Sequence, residues 1–113
     1  MQRIVPDEKF YDLPCSIVAV SLAKGGQIIP TEVSKTDGYM TLRDMNTYVR
    51  QNLSVAKRTD YKRGQRPILK ALRLDGRAIV CVLGHYIYLE NETYYSFFQN
   101  DYDQVVAVWK LKD

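Results

Sequence analysis

The sequence contains no apolar run near the ~18 residues of a membrane-spanning helix, and no segment that joins a basic start to a long apolar stretch. We therefore expect a soluble protein that is made without export and stays in the cytoplasm. The 113 residues, of which 46% are hydrophobic, suffice for one hydrophobic core and are too few for two. A single domain over residues 1–113 is the prediction.

Cysteine and histidine are also scarce, with two cysteines and one histidine in the chain. Two cysteines are too few for a disulfide scaffold, and a reducing compartment would keep both as thiols. A disulfide between Cys15 and Cys81 is the alternative, and it would remove a nucleophile. One histidine and two distant cysteines do not make a typical zinc shell, and Gly25-Gly26 lacks the Lys-Ser or Lys-Thr that follows in a phosphate-binding loop. We expect neither a metal nor a cofactor.

The first half of the chain carries the signals of two helices. The first helix is predicted to start around residues 12–15, with Asp12 as its N-cap and Pro14 in its first turn, and to end at Gly25-Gly26. Its composition is apolar nearly throughout. This predicts a central helix that is packed on most of its sides.

A second helix is predicted after a loop over residues 30–38. Thr41 and Asp44 have the spacing of a capping box. Apolar residues then recur at helical spacing, at Leu42, Met45, Val49 and Leu53. The pattern predicts an amphipathic helix over residues 42–53, packed beside the first.

The second half of the chain is predicted to be mostly strand. Residues 54–61 are expected to form a charged edge strand, and residues 65–74 a short helix with Pro67 in its first turn. Four apolar segments follow, at 77–83, 85–90, 93–98 and 104–111. Short connections predict antiparallel neighbours. The predicted class is α+β, with N-terminal helices packed on a C-terminal antiparallel sheet.

Positive charge is concentrated in residues 57–77, which contain eight Lys and Arg residues and only two Asp residues. The segment therefore has a net charge of +6, against +3 for the whole chain. The cations of its first half form a candidate binding patch: Lys57, Arg58, Lys62, Arg63 and Arg66. Such a cluster can bind nucleic acid or an acidic partner. A solvated surface is the alternative, which is favoured because no recognisable nucleic-acid motif accompanies the charge.

The single histidine and one cysteine occupy positions typical of a thiol protease. Cys15 falls in the first turn of the first predicted helix, where the positive end of the helix dipole would favour its thiolate. His85 begins a predicted strand, and Asn100 and Asp101 follow the next one. Nucleophile, base and orienting group then come in the order of such an enzyme. The alternative for Cys15 is a small buried hydrophobe, and Cys81, in an apolar strand, is expected to belong to the core.

In this order of residues the chain resembles the papain-like cysteine peptidases over most of its length. The closest variety is the compact peptidase domain that removes double-glycine leaders and is attached to bacteriocin and peptide exporters. The resemblance implies that Cys15 is the nucleophile, that His85 is the general base and then the acid, and that Asp101 orients the imidazole, with Asn100 as the alternative. Lys9 stands where the family usually has a Gln that donates to the oxyanion, and it is the candidate for that role.

The resemblance implies a thiol hydrolase that cleaves a peptide or isopeptide bond, with a peptide or protein as its partner. The alternative is a non-catalytic interaction module, of this or another α+β fold, which binds a peptide, or nucleic acid through residues 57–77. Aromatic residues alternate along the last strands and either fill a core face or form a stacking surface. They are Tyr86, Tyr88, Tyr94, Tyr95, Phe97, Phe98 and Tyr102.

Overall fold

The computed structural model describes residues 1–31 and 40–112. These ranges form an α+β fold with two α-helices and a six-stranded mixed sheet, so the predicted class is confirmed. The loop expected over residues 30–38 lies mostly outside the described residues. Within them, no helix has the length and apolar character needed to cross a membrane.

Helix α1 spans Cys15–Ala23, and its first residue is the candidate nucleophile. The N-cap is Pro14, which makes no side-chain capping bond, so the prediction of Asp12 as the cap was wrong. A proline disfavours helical geometry at the residue before it, and the helix therefore cannot begin earlier. At the other end the N–H of Gly26 donates to the carbonyl of Ser21 at 2.8 Å, and the predicted glycine stop is confirmed.

Helix α2 spans Leu42–Asn52, close to its predicted bounds. The Oγ1 of Thr41 accepts from the N–H of Asp44 at 3.2 Å, which satisfies one free donor of the first turn. Its apolar stripe of Met45, Tyr48 and Val49 is buried. Both helices contribute to the same core on one face of the sheet.

The sheet order is β1-β5-β4-β3-β6-β2. The strands are β1 (Gln2–Ile4), β2 (Val55–Asp60), β3 (Arg77–Val82), β4 (His85–Glu90), β5 (Thr93–Tyr95) and β6 (Val105–Leu111). Strand β2 is an edge strand as predicted, and β3, β4 and β5 are antiparallel neighbours. Between β3 and β4 the chain reverses at Gly84, whose φ of 76° lies in the left-handed region.

Two features of the sheet differ from the prediction of a purely antiparallel arrangement. Strand β1 pairs with β5 in parallel, which makes the sheet mixed. Strand β6 pairs with β3 rather than with β5. The connection over residues 96–104 is long enough to pass across the sheet, so β6 can bury both of its faces between β3 and β2.

The helix predicted over residues 65–74 is absent, and only a 3₁₀ turn forms, at Leu69–Ala71. The backbone of this segment bonds to the connection before β6 instead of to itself. The N–H of Leu69 donates to the backbone carbonyl of Asp103 at 2.9 Å, and the N–H of Lys70 donates to the backbone carbonyl of Asp101 at 2.8 Å. These bonds satisfy the polar groups that a helix would otherwise have paired internally.

Both faces of the central strands are buried. Helices α1 and α2 cover one face over Ile79, Tyr86 and Trp109. The segment around Leu69 and Leu72 covers the other face. Helix α1 packs on β4, and its first residue, Cys15, contacts Tyr86 at the start of that strand, next to the histidine.

Candidate functional site

A cavity of about 350 Å³ lies where the start of α1 meets the start of β4 and the end of β5. Both Cys15 and His85 line it, so the fold brings these two candidates to one space. The remaining lining is largely apolar and aromatic: Tyr11, Leu13, Val18, Tyr86, Tyr95, Ser96, Phe97 and Phe98. Its volume lies at the small end of the range of ligand pockets in proteins.

The Cys15 thiol is surrounded by backbone donors. Its Sγ accepts from the N–H of Tyr86 at 3.4 Å. Burial raises the pKa of Cys15 above its ordinary value, and the backbone N–H groups of Tyr86, Ser16 and Cys15 act in the opposite direction. The helix start therefore favours the thiolate as expected from the sequence, but desolvation outweighs it. The resting group is a neutral thiol.

The His85 imidazole is held on two sides. Its ring meets that of Phe98 edge to face, with centroids 5.7 Å apart. Its Nε2 lies 3.3 Å from the Oγ of Ser96. Burial lowers the pKa of His85, and the Asp103 carboxylate raises it by a smaller amount. The resting group is a neutral imidazole.

Cys15 and His85 thus face one cavity without a preformed ion pair. Among the described residues, no hydrogen bond or salt bridge joins the Cys15 sulfur to the His85 ring. A thiol and an imidazole that are both neutral can still exchange a proton when a substrate carbonyl arrives, because catalytic hydrogen bonds often tighten only in the substrate complex.

Behind His85 lies a connected set of polar groups, of which Ser96 and Asn100 are buried and Asp103 is half-buried. The Oγ of Ser96 donates to the Oδ1 of Asn100 at 2.6 Å. The Nδ2 of Asn100 then donates to the Oδ2 of Asp103 at 2.7 Å. Ser96 and Asn100 are only 2% and 5% exposed. Burying such polar groups is costly unless they are hydrogen-bonded, and here each one has its partner.

The two candidates for the group that orients the imidazole, Asn100 and Asp101, have different contacts in the structure. Asn100 is linked to the histidine through Ser96 rather than directly. The carboxylate of Asp101 accepts from the hydroxyl of Tyr94 at 2.8 Å and is not among the groups that contact His85. Sequence reasoning missed Ser96 and Asp103. The available signal was a single polar residue inside the aromatic run 94–98, followed by amide and carboxylate side chains in the next turn.

Lys9, the candidate oxyanion donor, lies beside the cavity rather than in it. Its Nζ sits 5.1 Å from the centre of the Phe10 ring. It lines a neighbouring opening with Glu8, Tyr11 and Asp12. The donors found around the sulfur are backbone N–H groups.

Cys81 is 1% exposed and packs in the core between the helices and the sheet. Its Sγ is 3.4 Å from the carbonyl oxygen of Val82. Cys15 and Cys81, both within the described residues, are not joined by a disulfide. The nucleophile candidate is therefore available as a thiol.

The basic segment lies away from this cavity, and several of its cations are engaged within the fold. Arg58 forms a salt bridge of 3.0 Å with Asp60 and lies over the Trp109 ring. The Nε of Arg66 donates to the carbonyl of Tyr61. The exposed cations of the candidate patch are Lys57, Lys62 and Arg63. Their separation along an edge strand and the following turn favours a solvated surface.

The fold and the cavity define an α+β domain in which a helix-start thiol and a strand imidazole face an apolar space. Comparison with known proteins adds no relative to this description, since no protein-family model, curated protein or solved structure matches the chain. In the described part of the chain, no group of three or more His, Cys, Asp and Glu side chains could hold a metal ion. The function is therefore inferred from the geometry of the site.

The neutral state of the thiol can be tested by alkylation. The rate constant for iodoacetamide at Cys15 should rise about tenfold per pH unit from near neutrality and show no plateau below the ordinary thiol pKa of 9.0, because only the thiolate reacts. Mass spectrometry of the labelled peptide gives the rate at Cys15. The buried Cys81 is the internal control and should label only on unfolding. A plateau near neutral pH that disappears in His85→Ala would instead establish a preformed ion pair.

Proposed function

We propose that this protein is a thiol hydrolase of papain-like arrangement that cleaves a peptide or isopeptide bond. The observation that carries the proposal is the convergence of Cys15 and His85 on one apolar cavity at the start of a helix. The helix that presents the thiol packs on the strand that presents the imidazole, and this supports a papain-like arrangement. Nucleophile and base positioned together are the requirement of covalent acyl transfer.

In the proposed reaction, His85 removes the thiol proton as the Cys15 sulfur attacks the substrate carbonyl. A carbon–sulfur bond forms and the carbonyl becomes an oxyanion, which the backbone N–H groups around the sulfur can stabilise. The carbon–nitrogen bond then breaks, and the imidazolium gives its proton to the leaving amine. A water molecule then gives a proton to the neutral imidazole and attacks the acyl carbon. The carbon–sulfur bond breaks, the acyl group leaves as a carboxylic acid, and the imidazolium returns its proton to the Cys15 sulfur.

Burial has different consequences for the two groups during this cycle. A desolvated thiol gives a small thiolate fraction at rest, so proton transfer has to accompany the attack. The imidazolium that results is stabilised by the carboxylate of Asp103, which raises the pKa of His85. Asp103 thus offsets part of the cost of forming a charge on the buried base.

The cavity indicates the kind of side chain that the substrate presents. Much of the lining that surrounds the thiol is apolar, and it includes Leu13, Val18, Tyr95 and Phe97. Apolar side chains gain about 1.5–3 kcal/mol on transfer from water into such surroundings. We propose a peptide substrate with a bulky aliphatic or aromatic residue close to the cleaved bond.

This function predicts selective cleavage of a peptide library. Peptides with Leu, Met or Phe beside the cleaved bond should be cut at least about tenfold faster than those with Gly or Asp, because burying the side chain stabilises the transition state. Mass spectrometry of the products gives the sites. Phe97→Ala should weaken the preference, while Val5→Ala, at an exposed residue outside the cavity lining, should not. A folded protein that leaves every peptide intact would contradict the proposal.

A non-catalytic peptide-binding module is the second candidate. The separate, neutral states of Cys15 and His85 favour it, since a binding cavity needs no proton transfer. Fluorescent apolar peptides distinguish the two functions, because the module would bind them without releasing products. Binding that persists unchanged in Cys15→Ala, with no cleavage by the original protein, would establish the module.

A further inference from the structure

We propose that Ser96, Asn100 and Asp103 form a positioning chain that holds the neutral His85 ring with its proton on Nε2 and leaves Nδ1 as the base. The role of this positioning chain in catalysis rests on the proposed function. The tautomer itself follows from which atom donates and which accepts in each hydrogen bond, taken in order from the Asp103 carboxylate to the His85 ring.

The count begins at Asp103. A carboxylate accepts hydrogen bonds and has no proton to donate. The Asn100 side-chain atom 2.7 Å from its Oδ2 must therefore be the amide nitrogen. This fixes the orientation of the Asn100 amide and directs its Oδ1 toward Ser96.

The next step concerns the single hydroxyl proton of Ser96. Because Oδ1 of Asn100 is an acceptor only, the contact of 2.6 Å between them requires Ser96 to donate. The N–H of Phe98 donates to the same oxygen at 3.1 Å. With its proton used, Ser96 can meet Nε2 of His85 only as an acceptor.

The last step fixes the ring. Nε2 of His85 lies 3.3 Å from the Ser96 oxygen and must carry the proton of that bond. In a neutral imidazole the other nitrogen then has the free lone pair. Nδ1 is thus the atom that can take the thiol proton, and Ser96 and Asn100 act as positioning residues.

Burial makes this assignment stable. Ser96 and Asn100 are almost fully enclosed, so reversing any bond would leave a buried donor or acceptor without its partner. The backbone holds the same segment, since the N–H of Asn100 donates to the Tyr94 hydroxyl at 3.0 Å. The same Tyr94 hydroxyl donates to Asp101, which places that carboxylate outside the positioning chain.

The experiment uses the fact that His85 is the only histidine in the chain. In uniformly ¹⁵N-labelled protein, two-bond ¹H–¹⁵N correlation spectra taken above the pKa of His85 report which ring nitrogen is protonated. The variants are Ser96→Ala, which removes the acceptor, and Ser96→Thr, which keeps it. Asp101→Asn is the matched control, because Asp101 neighbours the positioning chain in sequence without belonging to it.

We expect one tautomer, with the proton on Nε2, in the original protein, in Ser96→Thr and in Asp101→Asn. In Ser96→Ala the ratio of the Nε2–H to the Nδ1–H tautomer should fall about tenfold, the size of one net hydrogen bond. Should Ser96→Ala fail to fold, Asp103→Ala provides the same comparison by freeing the Asn100 amide. A proton on Nδ1 in the original protein, or an unchanged ratio in a folded Ser96→Ala or Asp103→Ala, would overturn the inference.

This readout needs no substrate and no reaction at Cys15. If library peptides stay intact while the Nε2–H tautomer is found and depends on Ser96, the proposed function fails and the positioning chain stands as a structural device. If peptides are cleaved while the tautomer does not depend on Ser96, the function stands and the positioning chain is wrong.

Discussion

Replacing Cys15 with Ser should lower the rate of peptide cleavage by about 10⁴-fold or more, because a hydroxyl in the same place is a far weaker nucleophile and the site has no preformed ion pair to activate it. The substitution changes one atom, so the helix start, the cavity and the donor N–H groups stay in place. The measurement is the single-turnover rate on the best library peptide, followed by mass spectrometry. Unchanged far-ultraviolet circular dichroism would show that the fold is retained.

Cys81→Ala is the control for this experiment. Cys81 is the only other thiol, and it packs within the core rather than facing the cavity. The variant should lose some stability through the small void that it creates, but its cleavage rate should stay unchanged. Cleavage that survives Cys15→Ser, or that depends on Cys81, would contradict the assignment of the nucleophile.

Local chemistry was enough to predict the elements whose signals are local. Helix α2 follows from the spacing of Thr41 and Asp44 and from an apolar stripe, and both appear in the structure. Strands β3 and β4 follow from two apolar runs separated by Gly84. In each case a few neighbouring residues determine the geometry, and no distant contact is required.

Elements that depend on distant partners could not be predicted in this way. Residues 65–74 have the composition of a short helix, yet their backbone groups bond to the connection before β6. The position of β6 beside β3 likewise depends on packing across the sheet rather than on the length of one turn. Tertiary pairing overrides local preference here, because satisfying buried backbone groups matters more than propensity.

The candidate site, too, could be predicted from the sequence only in part. The order of Cys15 and His85 in the sequence is sufficient to select them, and the fold places both on one cavity. The choice among Asn100, Asp101 and their neighbours depends on how one connection turns, and a shift of one residue changes which side chain points inward. Desolvation is also a property of the folded state, so the sequence indicates a helix-start thiol but not its raised pKa.

Trp109→Ala should reduce the free energy of unfolding by about 3–5 kcal/mol, since it removes the largest fully buried side chain of the core and leaves a cavity. The indole also donates to the Oδ1 of Asn46 at 2.9 Å, a bond that ties α2 to β6. Small domains have about 5–15 kcal/mol of total stability, so this one change removes a large share of it. Urea unfolding followed by circular dichroism is the measurement, because Trp109 is the only tryptophan and its fluorescence is lost with it.

Val106→Ala, at a partly buried position on the same strand, is the matched control and should cost roughly 1 kcal/mol. An equal loss in the two variants would show that the core is not centred on the indole. The effect also reaches the site, because the Trp109 ring packs against Tyr86, with ring centroids 6.4 Å apart, and the N–H of Tyr86 donates to the Cys15 sulfur. At temperatures where Trp109→Ala remains folded, we therefore expect faster iodoacetamide labelling at Cys15 than in Val106→Ala, since a loosened Tyr86 exposes the thiol to water and lowers the pKa that burial had raised.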